Sequence, residues 1–285
     1  MPAITALLNL MLAWLTGATL VLAWLRHEHS AWSTDKQAQL RRTMPCALLV
    51  AFLAQCMLLW LEAALMSELP LLQAAAEIPT VIGSTHFGLW WAIGSTALLA
   101  AAVGARIRRL ALLGLGLTVF MLSRSTLGHA ALDGDLSWTI LVDLIHLASA
   151  SGWTGLVLVA VRMLSSAQDR ATASSGFFPA LSRAATFALA CVLLSGILNA
   201  WRHLGGAAIT LTSPYTLLLA AKMGLVFGAA ALGGVNRFIV MPSLPSRLDA
   251  SGRFAAILRC EALILTIVLI LAAILSATPP PGTAD

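Results

Sequence analysis

Residues 137–163 read SWTILVDLIHLASASGWTGLVLVAVRM, an apolar stretch whose ionisable residues are Asp143, His146 and, at its far end, Arg162. The hydrocarbon core of a bilayer is about 30 Å thick and takes roughly 20 apolar residues in a helix to cross. This stretch meets that length. An ionisable side chain at membrane depth is costly, ~2.5–3.5 kcal/mol for Asp at a helix centre on insertion scales, so one found there is a candidate functional residue. Asp143 and His146 stand three residues apart and share a helix face.

Segments of the same kind run over about 4–25, 44–66, 79–104, 110–131, 177–201, 214–240 and 255–277. Of 285 residues, 59% are hydrophobic and 10% charged, with mean hydropathy +0.90. Soluble domains carry about 25% charged residues. The reading is an all-α polytopic membrane protein with eight transmembrane helices, forming a single domain over 1–285. No alternating pattern of a transmembrane barrel is present. Pro45, Pro70, Pro79, Pro179, Pro214, Pro242 and the Pro279-Pro280-Pro281 run are expected at or just outside helix ends. The four cysteines are scattered through apolar stretches, which argues against a disulfide framework or a structural zinc site. Met1 is followed by no basic n-region, so no cleaved signal peptide is expected.

Orientation follows from the basic residues. Of the 17 Lys and Arg, all but Arg124, Arg202 and Lys222 fall at alternate connections: Arg26 to Arg42, Arg106 to Arg109, Arg162 to Arg183, and Arg237 to Arg259. The basic side is cytoplasmic by the positive-inside rule, which puts both termini on the outer face, the periplasm if the source is a Gram-negative bacterium. Spread over short loops, the net charge of +5 is no nucleic-acid signal.

On this threading Glu62 lies about one turn from the outer end of the second span, and His86 about two turns into the third. His129 closes the fourth, Asp143 and His146 follow early in the fifth, and Lys222 lies two turns into the seventh. His203 sits at the outer end of the sixth. Imidazole suits copper, zinc, iron and nickel, and thioether sulfur selects Cu(I). The expectation is a metal site on the outer face from His86, His129, His146, Asp143 and Glu62, with Met121 and His203 as secondary candidates. Imidazole and carboxylate alone do not separate copper from zinc, and the methionines tilt the choice only slightly towards copper, as Cu(I) or Cu(II).

Each residue also has a plainer reading. A single intramembrane histidine is often a hydrogen-bonded packing residue, and Met121 fills gaps as methionine commonly does. Arg124 and Lys222 neutralise Asp143 and Glu62. Ser195-Gly196, Gly104, Gly114 and Gly116 are read as close helix packing, and His27-Glu28-His29 as a solvated loop. Asn236, Arg237 and Glu261 are expected to meet near the cytoplasmic side, as a structural salt bridge rather than an inner gate. No phosphate loop, HExxH or Gly-x-Ser-x-Gly motif is present, so neither an ATP motor nor hydrolysis is expected. The chain is read as not an enzyme.

The order Gly128-His129-Ala130, Asp143-x-x-His146 and Trp153-x-Gly155 resembles the CopD family of bacterial copper-resistance membrane proteins. Thr85-x-Phe87-Gly88-x-x-Trp91, Ser195-Gly196, the Tyr215…Lys222 segment, Asn236-Arg237 and the Glu261 helix ending in Pro279-Pro280 continue the pattern, from about 80 to 282. The resemblance implies eight helices and copper handling across the inner membrane, often beside a periplasmic copper-binding protein of the CopC type. That partner is expected as a separate protein. His129, Asp143 and His146 match family positions, whereas Glu62 and His86 rest on depth alone. The resulting expectation is a copper transporter. Its alternatives are a b-type haem redox protein, limited to one haem by histidines on one side only, and a copper-docking protein without transport.

Overall fold

At membrane depth no water is available to a free backbone N–H or C=O, and a helix satisfies both internally. The computed structural model describes residues 1–127, 137–173, 176–204, 213–244 and 250–278. In chain order these form α1 (Pro2–Leu25), α2 (Ala31–Ser67), α3 (Leu71–Ala74), a 3₁₀ turn (Ala75–Glu77), α4 (Ile78–Ser84), α5 (His86–Arg106) and α6 (Leu110–Thr126). Then follow α7 (Trp138–Met163), α8 (Ala167–Thr172), α9 (Phe177–Leu204), α10 (Pro214–Val235), a π-helical turn (Asn236–Val240), α11 (Met241–Ser243) and α12 (Ala250–Leu275).

Among the described residues, seven helices are long and apolar enough to cross a membrane: α1, α2, α5, α7, α9, α10 with its continuation to Ser243, and α12. The remaining expected span is represented by α6, an apolar helix of 17 residues. The outer end expected for it, including His129, lies outside the described residues.

Two expected boundaries move. α2 is 37 residues long and starts at Ala31, not near residue 44. Ser30 caps it, its hydroxyl accepting the Ser33 N–H at 3.1 Å. Trp32, Ser33, Lys36, Leu40 and Met44 are buried along one face, and this packing carries the helix through Pro45. That proline is therefore inside a helix rather than at its end, with no N–H to give to the Arg41 carbonyl. The third segment, in contrast, is broken at Thr85, whose backbone is extended (φ −120°, ψ 151°). Its hydroxyl accepts the Gly88 N–H at 2.9 Å and starts α5 afresh.

The core is organised on α1, which packs against α2, α7 and α12. Its contact with α7 is backbone to backbone: a Cβ on Gly155 would come within 1.9 Å of the Ala13 carbonyl oxygen, and one on Gly17 within 2.2 Å of the Gly155 carbonyl carbon. Small residues of this kind let membrane helices approach closely. Gly104 and Gly116 play the same part between α5 and α6, where a Cβ would meet backbone at 2.5 and 2.6 Å. Gly114 faces nothing within 4 Å, so the packing expected of it is not found.

Across the basic end, Lys36 of α2 pairs with Asp169 of α8 at 2.6 Å, the lysine side chain being 3% exposed. Asp169 also closes a capping box with Ser166. Burial raises its carboxyl, but the hydrogen bonds from Lys36 and Ser166 outweigh this and hold it at about 2. A carboxyl lowered on folding stabilises fully above its unfolded value of 3.8 and loses that contribution as pH falls towards about 2.

Asp169→Asn should lower stability by ~2 kcal/mol, because it removes a charge-assisted hydrogen bond and leaves the buried Lys36 ammonium only the exposed Asp35 carboxylate at 3.5 Å. Thermal unfolding of the two proteins in detergent should differ at pH 7 and converge as pH approaches about 2. Gly155→Ala should abolish a monodisperse folded peak in size-exclusion chromatography, whereas Gly114→Ala should leave it intact.

Candidate functional site

At the end of the bundle opposite the arginine-rich connections, α7 presents Asp143 and His146. His146 Nδ1 lies 3.0 Å from the Ser195 hydroxyl of α9. That hydroxyl gives its one hydrogen to the Cys191 carbonyl of its own helix. It therefore accepts from Nδ1–H, the arrangement in which a neutral ring carries its lone pair on Nε2. Gly196 leaves room for the ring: a Cβ there would stand 3.3 Å from His146 Cε1. Ser195-Gly196, expected to be simple helix packing, is instead the seat of an imidazole. Its spacing along α9 gave no sign of this, because the partner is 49 residues away.

Asp143 is half-buried and faces two cations, Arg124 of α6 and Lys222 of α10, whose charges it interacts with. Lys222 also acts electrostatically on His146. The charge-pairing expected of Arg124 and Lys222 thus converges on Asp143. Glu62 is half-buried on α2.

His86 is the first residue of α5 and is exposed, not two turns deep, because the chain breaks at Thr85. The Trp90 indole N–H donates to its Nε2 at 3.1 Å. Met121 is buried in the main core, as the packing reading had it. His203 lies in the last turn of α9, with its side chain outside the description, and His129 lies outside the described residues altogether. Among the described residues, no three His, Cys, Asp or Glu side chains converge to hold one ion. The described members of the expected cluster, Glu62, His86, Asp143 and His146, therefore do not close a three-ligand centre by themselves.

Towards the basic end, α7 carries a second polar contact. Trp153 Nε1 donates to Glu261 of α12 at 3.1 Å, and both side chains are buried. Arg237 does not pair with Glu261 as expected. It donates to the Ser182 hydroxyl and carbonyl and to the Thr186 hydroxyl at 2.7–3.1 Å, all on α9. Asn236 and Arg237 both belong to the π-helical turn that follows α10. Asn236 gives its amide N–H to the Phe254 carbonyl at 3.4 Å, while its buried Oδ1 has no hydrogen-bond partner. Glu261, Asn236, Arg237 and Trp153 line one cavity of about 200 Å³. Residues 236, 237 and 261 thus share a cavity without forming an ion pair. Trp153, Ser182 and Thr186 were not foreseen as their partners.

The Thr85-x-Phe87-Gly88-x-x-Trp91 motif also has a physical account. Thr85 caps α5, and a Cβ on Gly88 would come within 2.1 Å of the Val81 carbonyl oxygen. Trp91 donates to the Gln55 carbonyl of α2 at 2.9 Å. These residues hold the α4–α5 corner against α2.

Residues 175–275 match the family model of copper resistance protein D, and residues 1–138 that of the copper resistance protein D-like N-terminal domain. The likeness therefore starts earlier than residue 80. Asp143 and His146 fall between the two matched stretches. A copper resistance protein D of Pseudomonas syringae pv. tomato is 28% identical over 225 residues, covering 70% of this chain and 71% of the relative. The copper transport protein CutJ of Bacillus subtilis (strain 168) is 28% identical over 163 residues, covering 56% of this chain and 29% of the relative. No solved structure matches the chain. With helices of membrane length and both halves matched, the chain is a multi-pass bacterial inner-membrane protein that belongs to the CopD family of copper-resistance-associated proteins.

Proposed function

We propose that this protein is a copper permease, oriented with its basic end in the cytoplasm and taking copper from the periplasmic side through His146. One observation carries the reading. An imidazole at membrane depth has Nδ1 engaged by a serine and Nε2 left as a donor, in a chain of a copper-resistance family. Metal-ligating histidines are held this way, by a partner on the other ring nitrogen. Asp143 offsets part of the positive charge of Arg124 and Lys222, which reduces the repulsion a cation meets on approach. His129 stands across the α6–α7 connection from His146 in sequence and is the proposed second imidazole. His86 and Glu62 would act at the entrance. Copper is the cargo and no bond-making chemistry is assigned to the protein. A separate soluble copper carrier of the CopC type would deliver it.

In proteoliposomes, His146→Ala should reduce copper flux by at least ~tenfold, since it removes a ligand outright. Flux unchanged in His146→Ala would exclude this route. Copper bound by the wild-type protein without flux would instead identify a docking protein, and a Soret band in purified protein a haem protein. Ser195→Ala should weaken copper binding ~10–100-fold while leaving the fold intact, and Ser195→Thr should restore it. Equilibrium dialysis against copper reads both.

A further inference from the structure

Between α2 and α5, at the basic end, lies a groove of about 550 Å³ that the copper reading does not use. Its rim is made by three guanidinium groups: Arg41 of α2, Arg106 in the last turn of α5, and Arg108 just beyond it. Among the described residues, none of the three has a carboxylate or hydrogen-bond acceptor. Arg41 and Arg108 instead repel each other. Like charges gathered without a counter-ion call for an anion from outside.

The backbone at Arg108 points the same way. Arg109 N–H bonds to the Gly104 carbonyl at 2.8 Å and Arg108 N–H to the Ala105 carbonyl at 3.3 Å, the paired bonds of a Schellman cap. Arg108 occupies its left-handed position, with φ 58°. Glycine is the usual residue there because any Cβ is disfavoured. An arginine in its place sacrifices local stability to put a guanidinium at the groove.

Below the arginines the lining is apolar, with Leu48, Phe52 and Leu99 along the trough. Leu99 is 55% exposed, so the trough opens sideways on the surface that faces lipid tails. A small soluble anion would satisfy the rim and leave the trough unfilled. A zwitterionic lipid would fill the trough but bring its own cation to the rim. Basic pockets between transmembrane helices on the cytoplasmic side suit anionic head groups. Guanidinium groups bind phosphate with paired, charge-assisted hydrogen bonds.

We propose that this groove is a binding site for an anionic phospholipid of the leaflet at the basic end, its phosphate held by Arg41, Arg106 and Arg108 and an acyl chain lying along Leu48, Phe52 and Leu99. The site is independent of the copper reading and requires only that the chain be embedded in a bilayer. Bound lipid would brace α2 against the α5–α6 corner.

Native mass spectrometry of the full chain in detergent, with equimolar phosphatidylglycerol and phosphatidylcholine, tests the assignment. Phosphatidylglycerol should be retained in preference. The Arg41→Gln/Arg106→Gln/Arg108→Gln variant should lose it ~100-fold. Leu99→Trp, which fills the trough and keeps every charge, should also weaken retention. Arg108→Gly separates a lipid role from a structural one. It should raise the melting temperature in lipid-free detergent by relieving the left-handed arginine, yet diminish the further rise that phosphatidylglycerol produces. Equal retention of the two lipids would overturn the proposal. So would unchanged retention in the triple variant, or inorganic phosphate competing as well as the lipid irrespective of Leu99→Trp.

Discussion

The contact on which the rest of this structure depends is the crossing of α1 and α7 at Gly17 and Gly155, where backbone meets backbone. Within a bilayer, lipid tails are as apolar as leucine, so helices gain little from the hydrophobic effect and associate through close packing and hydrogen bonds. A crossing this tight fixes the rotation of α7 about its own axis. That rotation decides where its polar residues go. His146 turns to Ser195 on α9, and Trp153, two turns further along, turns to Glu261 on α12. One helix thus carries the polar contact of each half of the bundle.

The two contacts differ in character. Near the end opposite the arginine-rich connections, an imidazole and a carboxylate stand with two cations, whose charges the carboxylate partly balances. Near the basic end, Glu261 is buried with an indole N–H as its partner, while Arg237 is occupied by hydroxyls of α9. An ion pair between them would have left a closed plug. Because Arg237 bonds elsewhere, the carboxylate borders a cavity instead. The asymmetry between the two ends, evident in the distribution of histidines, is therefore a difference in chemistry rather than an absence at one of them.

The residues that carry the family resemblance divide along similar lines. Thr85, Gly88 and Trp91 build a corner, and Gly155 builds the central crossing. Ser195 and Gly196, which look like helix-packing residues in the sequence, shape the seat of a histidine. Residue type alone does not separate these roles. Glycine appears in both, in one case admitting a backbone and in the other an aromatic ring.

Membrane class and the approximate positions of most helices were legible in the amino-acid sequence, because each depends on hydropathy counted along the chain. Asp143, His146, Arg124 and Lys222 were legible as candidates for the same reason: an ionisable residue within an apolar run stands out. Tertiary structure alone decided their partners. Ser195 for His146, Trp153 for Glu261 and Asp169 for Lys36 are separated by tens of residues to over a hundred, and such pairings depend on helix rotation and crossing. It also decided that α2 passes through Pro45 and that the chain breaks at Thr85. In both places burial against neighbouring helices outweighed the local preference, and no periodicity within a single segment records that competition.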